Sequence, residues 1–264
     1  MHLQKNTGSL SDDVPVLAGE SLLLLKKLIS TPSFGGREEE TAEIIQAHLR
    51  KEHIKPYRTH YNIWALNKYY DKNKPTILLN SHHDTAKPNW AYSRNPYFPQ
   101  IEDGKLYGLG SNEAGGSLVA LLALFRYFYA RPDLPYNLCF TATEGEEKSG
   151  PGIKGIQAKI GNIAFAVIGA PTQMQMWGMD STHPIVCAGL AIGLKTCSAP
   201  VNSSRGWLDA PSLIIGPGNP ARSNIANEYI FVDEISEGIS VYIELLNSLL
   251  FCLIHNPEHN FDEF

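Results

Sequence analysis

Short apolar runs separated by helix-like segments constrain this chain most. Residues 76–81, 136–143 and 164–168 are short apolar runs of the kind that form buried strands. Between the first two runs, Leu118, Leu121, Leu122 and Phe125 recur at helical spacing within about 114–129, and a shorter helical stretch near 153–160 separates the second run from the third. Strands that alternate with helices pair in parallel, and a parallel sheet must be covered on both faces. The expected fold is α/β, with a mostly parallel central sheet and helices on both faces. Ligands of such sheets collect outside the C-terminal ends of the strands.

The flanking segments extend this pattern. An apolar helical run over 22–29 is stopped by Thr31-Pro32, and 38–52 reads as a helix with Ala42, Ile45 and Leu49 on one face. Further expectations are strands at 63–67 and 212–215, a helix over 184–194 and a closing amphipathic helix over 232–253. Residues 1–18 are polar and read as a flexible leader, leaving 19–264 as a single domain.

Charge and cysteine usage narrow the function classes. The chain has 22 basic and 27 acidic residues, a net charge of −5, and no Lys/Arg-rich run, which disfavours a nucleic-acid or anionic-membrane surface. Cys139, Cys187, Cys197 and Cys252 show no C-x-x-C spacing and read as reduced thiols, all but Cys197 in apolar surroundings. No signal-peptide h-region or membrane-length apolar run is evident, so the expectation is a cytoplasmic protein.

Three polar clusters fall where apolar runs end. Ser81-His82-His83-Asp84-Thr85 follows Ile77-Leu78-Leu79, so His82 can bind a divalent ion while Asp84 orients it. The same H-x-D also reads as a hydrogen-bonded polar turn. The stretch from Gly108 to Gly116 leads into the long helix, and its Glu113 lies where a carboxylate can meet whatever His82 holds. As a phosphate loop it fits neither glycine pattern, while a tight strand-to-helix turn remains open. Glu146 and Glu147 follow the 136–143 run. Adjacent residues face different ways, so one can bind metal while the other moves a proton, although a solvated acidic turn is equally simple.

The order and spacing of these clusters resemble the acetylornithine deacetylase, succinyl-diaminopimelate desuccinylase and carboxypeptidase G family of co-catalytic zinc amidohydrolases. The resemblance extends from Leu28 to Phe34 through the clusters above to Gly169-Ala170-Pro171-Thr172, Ile215 to Gly218 and Ala221 to Asn224, and is nearest to the acetylornithine or acetylcitrulline deacetylase branch. It implies a zinc-exopeptidase-like catalytic domain. It also implies metal ligation by His82, Glu113 and Glu147, with Asp84 orienting and Glu146 as general acid/base. The implied substrate is a small N-acyl amino acid such as N-acetylornithine or N-acetylcitrulline.

The chain departs from the family at several implied positions. Glu113 stands where the bridging ligand is normally aspartate, Ala170 replaces a carboxylate ligand, Asn224 replaces the last histidine, and Ser204 replaces an aspartate. The family's inserted lid, its usual dimer contact, is absent near 177–183, which implies a monomer. Two readings follow: an amidohydrolase impaired by an incomplete zinc shell, or an inactive core acting as a binding or structural domain. A mononuclear site using His82, Glu147 and His83 or His183 is a third arrangement.

Overall fold

The computed structural model describes residues 10–148, 152–197 and 208–255. Strand β3 (Thr76–His82) lies at the centre of the main sheet, between β6 (Asn137–Thr143) and β7 (Ile163–Ile168), and pairs with both in parallel. Beyond β6 come β2 (Asn62–Leu66) and β1 (Tyr57–Thr59), both antiparallel. Beyond β7 lie β10 (Ser212–Ile214, parallel), β8 (Met176–Trp177, antiparallel to β10) and β9 (Thr196–Cys197). The sheet order is β1-β2-β6-β3-β7-β10-β8-β9. A small antiparallel meander of β4 (Gln100–Glu102), β5 (Lys105–Tyr107) and β11 (Tyr229–Phe231) stands apart.

The central strands are buried on both sides, which is why they read as apolar runs without strict alternation. Ile77 and Leu79 of β3, Leu138 and Phe140 of β6, and Phe165 and Val167 of β7 join the larger core. Leu78, Cys139 and Ala166, the intervening residues, join the smaller one. Period-two alternation thus sends neighbouring residues to opposite layers.

The larger core is covered by α1 (Leu10–Ile29), α2 (Glu39–Lys51), α3 (Gly116–Phe128), α5 (Pro184–Ala191) and α6 (Val232–His255). Helix α6 packs against α1, α3 and α5, and its Tyr242 hydroxyl donates to Ile215 O at 2.6 Å. By length and composition α6 alone among the described helices is apolar enough to cross a membrane, over Val232–Cys252, but half of that window is buried within the protein. Among the described residues the opposite face carries a short helix, α4 (Gln157–Ile160), with Ile153, Ile156 and Leu208.

The expected α/β architecture is therefore present: a mostly parallel central sheet flanked by helices. Several boundaries differ. Helix α1 begins at Leu10 and buries Leu17, so the segment read as a leader to residue 18 is helical from that point. Pro15 lies inside it, the residue type that ordinarily argues for a helix boundary. Helix α3 starts at Gly116, and α5 stops at Ala191. The cysteines are free as expected, but Cys187 is exposed rather than apolar-packed.

Phe125 is fully buried and its ring lies 6.1 Å from that of Phe140, joining α3 to β6. Phe125→Ala is expected to lower the unfolding free energy by about 3–5 kcal/mol, the range for emptying a large aromatic site. Urea denaturation measures this, and a loss below about 1 kcal/mol would contradict the packing.

Candidate functional site

Because β3, β6 and β7 run in parallel, their C-terminal ends open on one edge of the sheet. The register aligns His82 with Thr143 and Asn80 with Ile168, so the residues that follow each strand become neighbours. Asp84 enters from β3, Glu146 and Glu147 from the turn after β6, and Ala170 from the turn after β7.

His82 is the centre of this edge. Its Nδ1 lies 3.0 Å from Asp84 O and 3.3 Å from Asp84 Oδ1, and its Nε2 lies 3.7 Å from Glu113 Oε1. Burial works against the imidazolium, but hydrogen bonding to Asp84 and Glu113 outweighs it and raises the His82 pKa well above its ordinary value. Asp84 is itself oriented by backbone donors: Glu146 N gives to Oδ1 at 3.1 Å and Glu147 N to Oδ2 at 2.9 Å. Burial opposes ionisation of Asp84, yet His82 and these two N–H groups keep its pKa below the ordinary value. Burial raises the pKa of Glu147, whose carboxylate feels His82, Glu113 and Asp84.

Glu113 is presented by the turn Ser111–Gly115 in front of α3, where its backbone leaves helical geometry (φ −111, ψ 104). A fully buried carboxylate, Glu228, holds this turn. Glu228 Oε1 accepts from Asn112 N and Glu113 N, each at 2.8 Å, and Oε2 accepts from Gly110 N at 3.2 Å. Burial pushes the Glu228 pKa up to about 7 despite these donors. Sequence reading missed Glu228. It also missed Ser223, whose hydroxyl donates to Glu113 Oε2 at 2.5 Å.

The implied metal centre can be tested against these donors. His82, Asp84, Glu113 and Glu147 do gather at the strand ends. Among the described residues, however, no group of three or more His, Cys, Asp or Glu side chains is arranged to hold a metal ion. Ala170 offers no donor, and Asn224 sits exposed on a left-handed turn (φ 57). The described residues do not fit a dinuclear centre. Ser204, like the Ser149-Gly150 end of the acidic motif, lies outside the described residues.

The mononuclear alternative also lacks its extra histidine. His83 Nδ1 is bonded to Thr41 Oγ1 and Nε2 to Tyr61 O, both at 2.9 Å. His183 caps α5 and borders Pro211 and Ile163, at the opposite end of β7 and β10. A cavity of about 20 Å³ adjoins His82, Asp84, Thr85 and Glu113, enough for about one water. A cavity of about 720 Å³ between α1 and the end of α3 touches none of the expected site residues.

Comparison with known proteins agrees with the fold. Residues 78–183 match the model of Peptidase family M20/M25/M40. The match is confined to this segment, from β3 to the residue that caps α5. It is similar to a protein of Xylella fastidiosa (strain M12) named "Succinyl-diaminopimelate desuccinylase", 32% identical over 137 residues, covering 49% of this chain and 35% of that protein. The M20 family metallo-carboxypeptidase of Sulfolobus solfataricus shares the fold with a TM-score of 0.71 at 12% identity, covering 88% of this chain and 99% of that one. A dinuclear metal-binding M20 peptidase of Bacillus subtilis has a TM-score of 0.67 at 9% identity, covering 90% and 99%. The chain spans between about a third and just over half of the length of the curated relatives it matches.

The wall behind the site carries a pH dependence. Burial pulls the His83 pKa from 6.5 down to about 4, so the folded protein binds fewer protons than the unfolded chain between those values. Stability is then full above pH 6.5 and falls as pH drops towards 4, by up to about 3 kcal/mol for this residue. His83→Gln should flatten that slope in denaturation measured across the window. His183, shifted in the same direction, keeps part of it. An unchanged slope would refute the assignment to His83.

Proposed function

We propose that this chain descends from a metal-dependent amidohydrolase of N-acyl amino acids and that its turnover is severely impaired. The observation that carries this reading is the combination of a gathered His82, Asp84, Glu113 and Glu147 with a donor-free Ala170 and an exposed Asn224. Glu146 is the carboxylate proposed to take a proton from the attacking water and pass it to the leaving amine. A positioned general base of this kind contributes about 10²- to 10⁴-fold. Amide hydrolysis also needs an activated nucleophile and a stabilised oxyanion, and the incomplete shell supplies neither well.

The substrate class rests on two supports. The sequence resemblance favours N-acetylornithine or N-acetylcitrulline, and the name borne by similar curated proteins favours a succinylated diamino acid. We further propose that the chain lacks the family's lid, since residues 178–183 join β8 directly to α5, and that it is a monomer. The reading of an inactive binding or structural domain is favoured by one feature, the engagement of Glu113 by the Ser223 hydroxyl on one oxygen and by His82 on the other.

The test is metal content after dialysis against zinc, paired with hydrolysis of N-acetylornithine, N-acetylcitrulline and N-succinyl-diaminopimelate. We expect fewer than two tightly held ions per chain and hydrolysis close to background. Two retained ions with ready turnover would sink the proposal.

The joint substitution of Glu113→Asp, Ala170→Asp and Asn224→His should recover zinc retention. If metal content in that triple variant stays at the starting level, the assignment of positions 170 and 224 is wrong.

A further inference from the structure

Both carboxylate oxygens of Glu113 are engaged by protein. Oε1 faces His82 Nε2 at 3.7 Å, and Oε2 accepts the Ser223 hydroxyl hydrogen at 2.5 Å. A hydroxyl has one hydrogen to give, so Ser223 spends its donor on Glu113. Its oxygen is fixed from the other side by Asn112 Nδ2 at 3.2 Å.

Asn112 cannot swing away to release this arrangement. It is fully buried, its Nδ2 also donates to Asn219 O at 3.0 Å, and its Oδ1 accepts from Asn219 N at 3.1 Å. The packing is close, since a Cβ added to Gly218 would lie 2.5 Å from Asn112 Oδ1. The turn after β10 is thereby tied to Glu113 through one hydroxyl. A hydrogen bond from a hydroxyl to a carboxylate is charge-assisted and roughly twice as strong as a neutral one.

We propose that Ser223 restrains metal loading of this site: its hydroxyl holds Glu113 Oε2 in a bond that an entering divalent cation has to break. The proposal rests on reading the site as metal-poor and names what keeps it so. Ser223 touches no reacting atom and acts through Glu113, which makes it a positioning residue. Because the hydroxyl competes with the metal for the same oxygen, its removal raises metal affinity. A residue that merely supported the fold would lower affinity when removed.

The experiment is titration of the full chain with Co²⁺ alone, read by its visible d–d absorption and by calorimetry. Ser223→Ala should bind Co²⁺ about tenfold more tightly than the parent, the factor expected for one hydrogen bond to a charged group. Ser223→Thr, which keeps the hydroxyl, should return to the parent value. If Ser223→Ala does not fold, the isosteric pair Ser223→Thr and Ser223→Val carries the comparison, with Val expected to bind about tenfold more tightly.

Equal affinity with and without the hydroxyl, weaker binding without it, or no Co²⁺ binding by any variant would each overturn the proposal. Tight uptake of two ions by the parent would overturn the metal-poor reading instead. The role of Ser223 would then still be decided by the hydroxyl comparison.

Discussion

The parallel pairing of β3 with β6 on one side and β7 on the other is the constraint on which the site depends. All seven residues of Thr76–His82 are buried, and their backbone groups are bonded to two neighbours. A strand so enclosed can offer chemistry only where it ends. Since β6 and β7 run the same way, their ends deliver Glu146, Glu147 and Ala170 beside His82 and Asp84. A slip of one residue in this register would turn each side chain to the other face, exchanging the two cores. The site geometry and the layer packing are therefore fixed together.

How much of this could be read from sequence varies with the range of the interaction. The central strands and α3 were legible because burial on both faces leaves continuous apolar runs and helical spacing leaves its own mark. His82, Asp84 and Glu113 were legible because they follow those runs closely, and the structure brings them together. Glu228 and Ser223 were not. Each reaches the Glu113 turn across more than a hundred residues, Glu228 by accepting backbone N–H groups and Ser223 through a hydroxyl. Neither kind of contact has a periodic signature. The three-residue strands β4, β5 and β11 are too short for alternation to show, and β4 is exposed throughout.

The carboxylates of the site illustrate how protein donors hold charge. Asp84 takes two backbone N–H groups, and Glu228 takes three. Glu113 is met by an imidazole and a hydroxyl. Glu147, where burial dominates, responds by a raised pKa. A buried acceptor left without donors would cost about 1–3 kcal/mol, and more when charged. Donors arranged in this way make the carboxylate network stable in its own right.

That stability bears on what the proposed absence of ligands at 170 and 224 would mean. In a site waiting for metal, restoring a donor only adds an attraction. Here an entering ion must also displace bonds already made to Glu113, whose turn is anchored by the buried Asn112 and Glu228. Aspartate at 113 would withdraw the carboxylate by one methylene from both His82 and Ser223, loosening the existing network while suiting a bridging position. The residue type at 113 is therefore coupled to Ser223. On the proposed reading, building a metal centre here would depend on undoing that contact as much as on supplying side chains at 170 and 224.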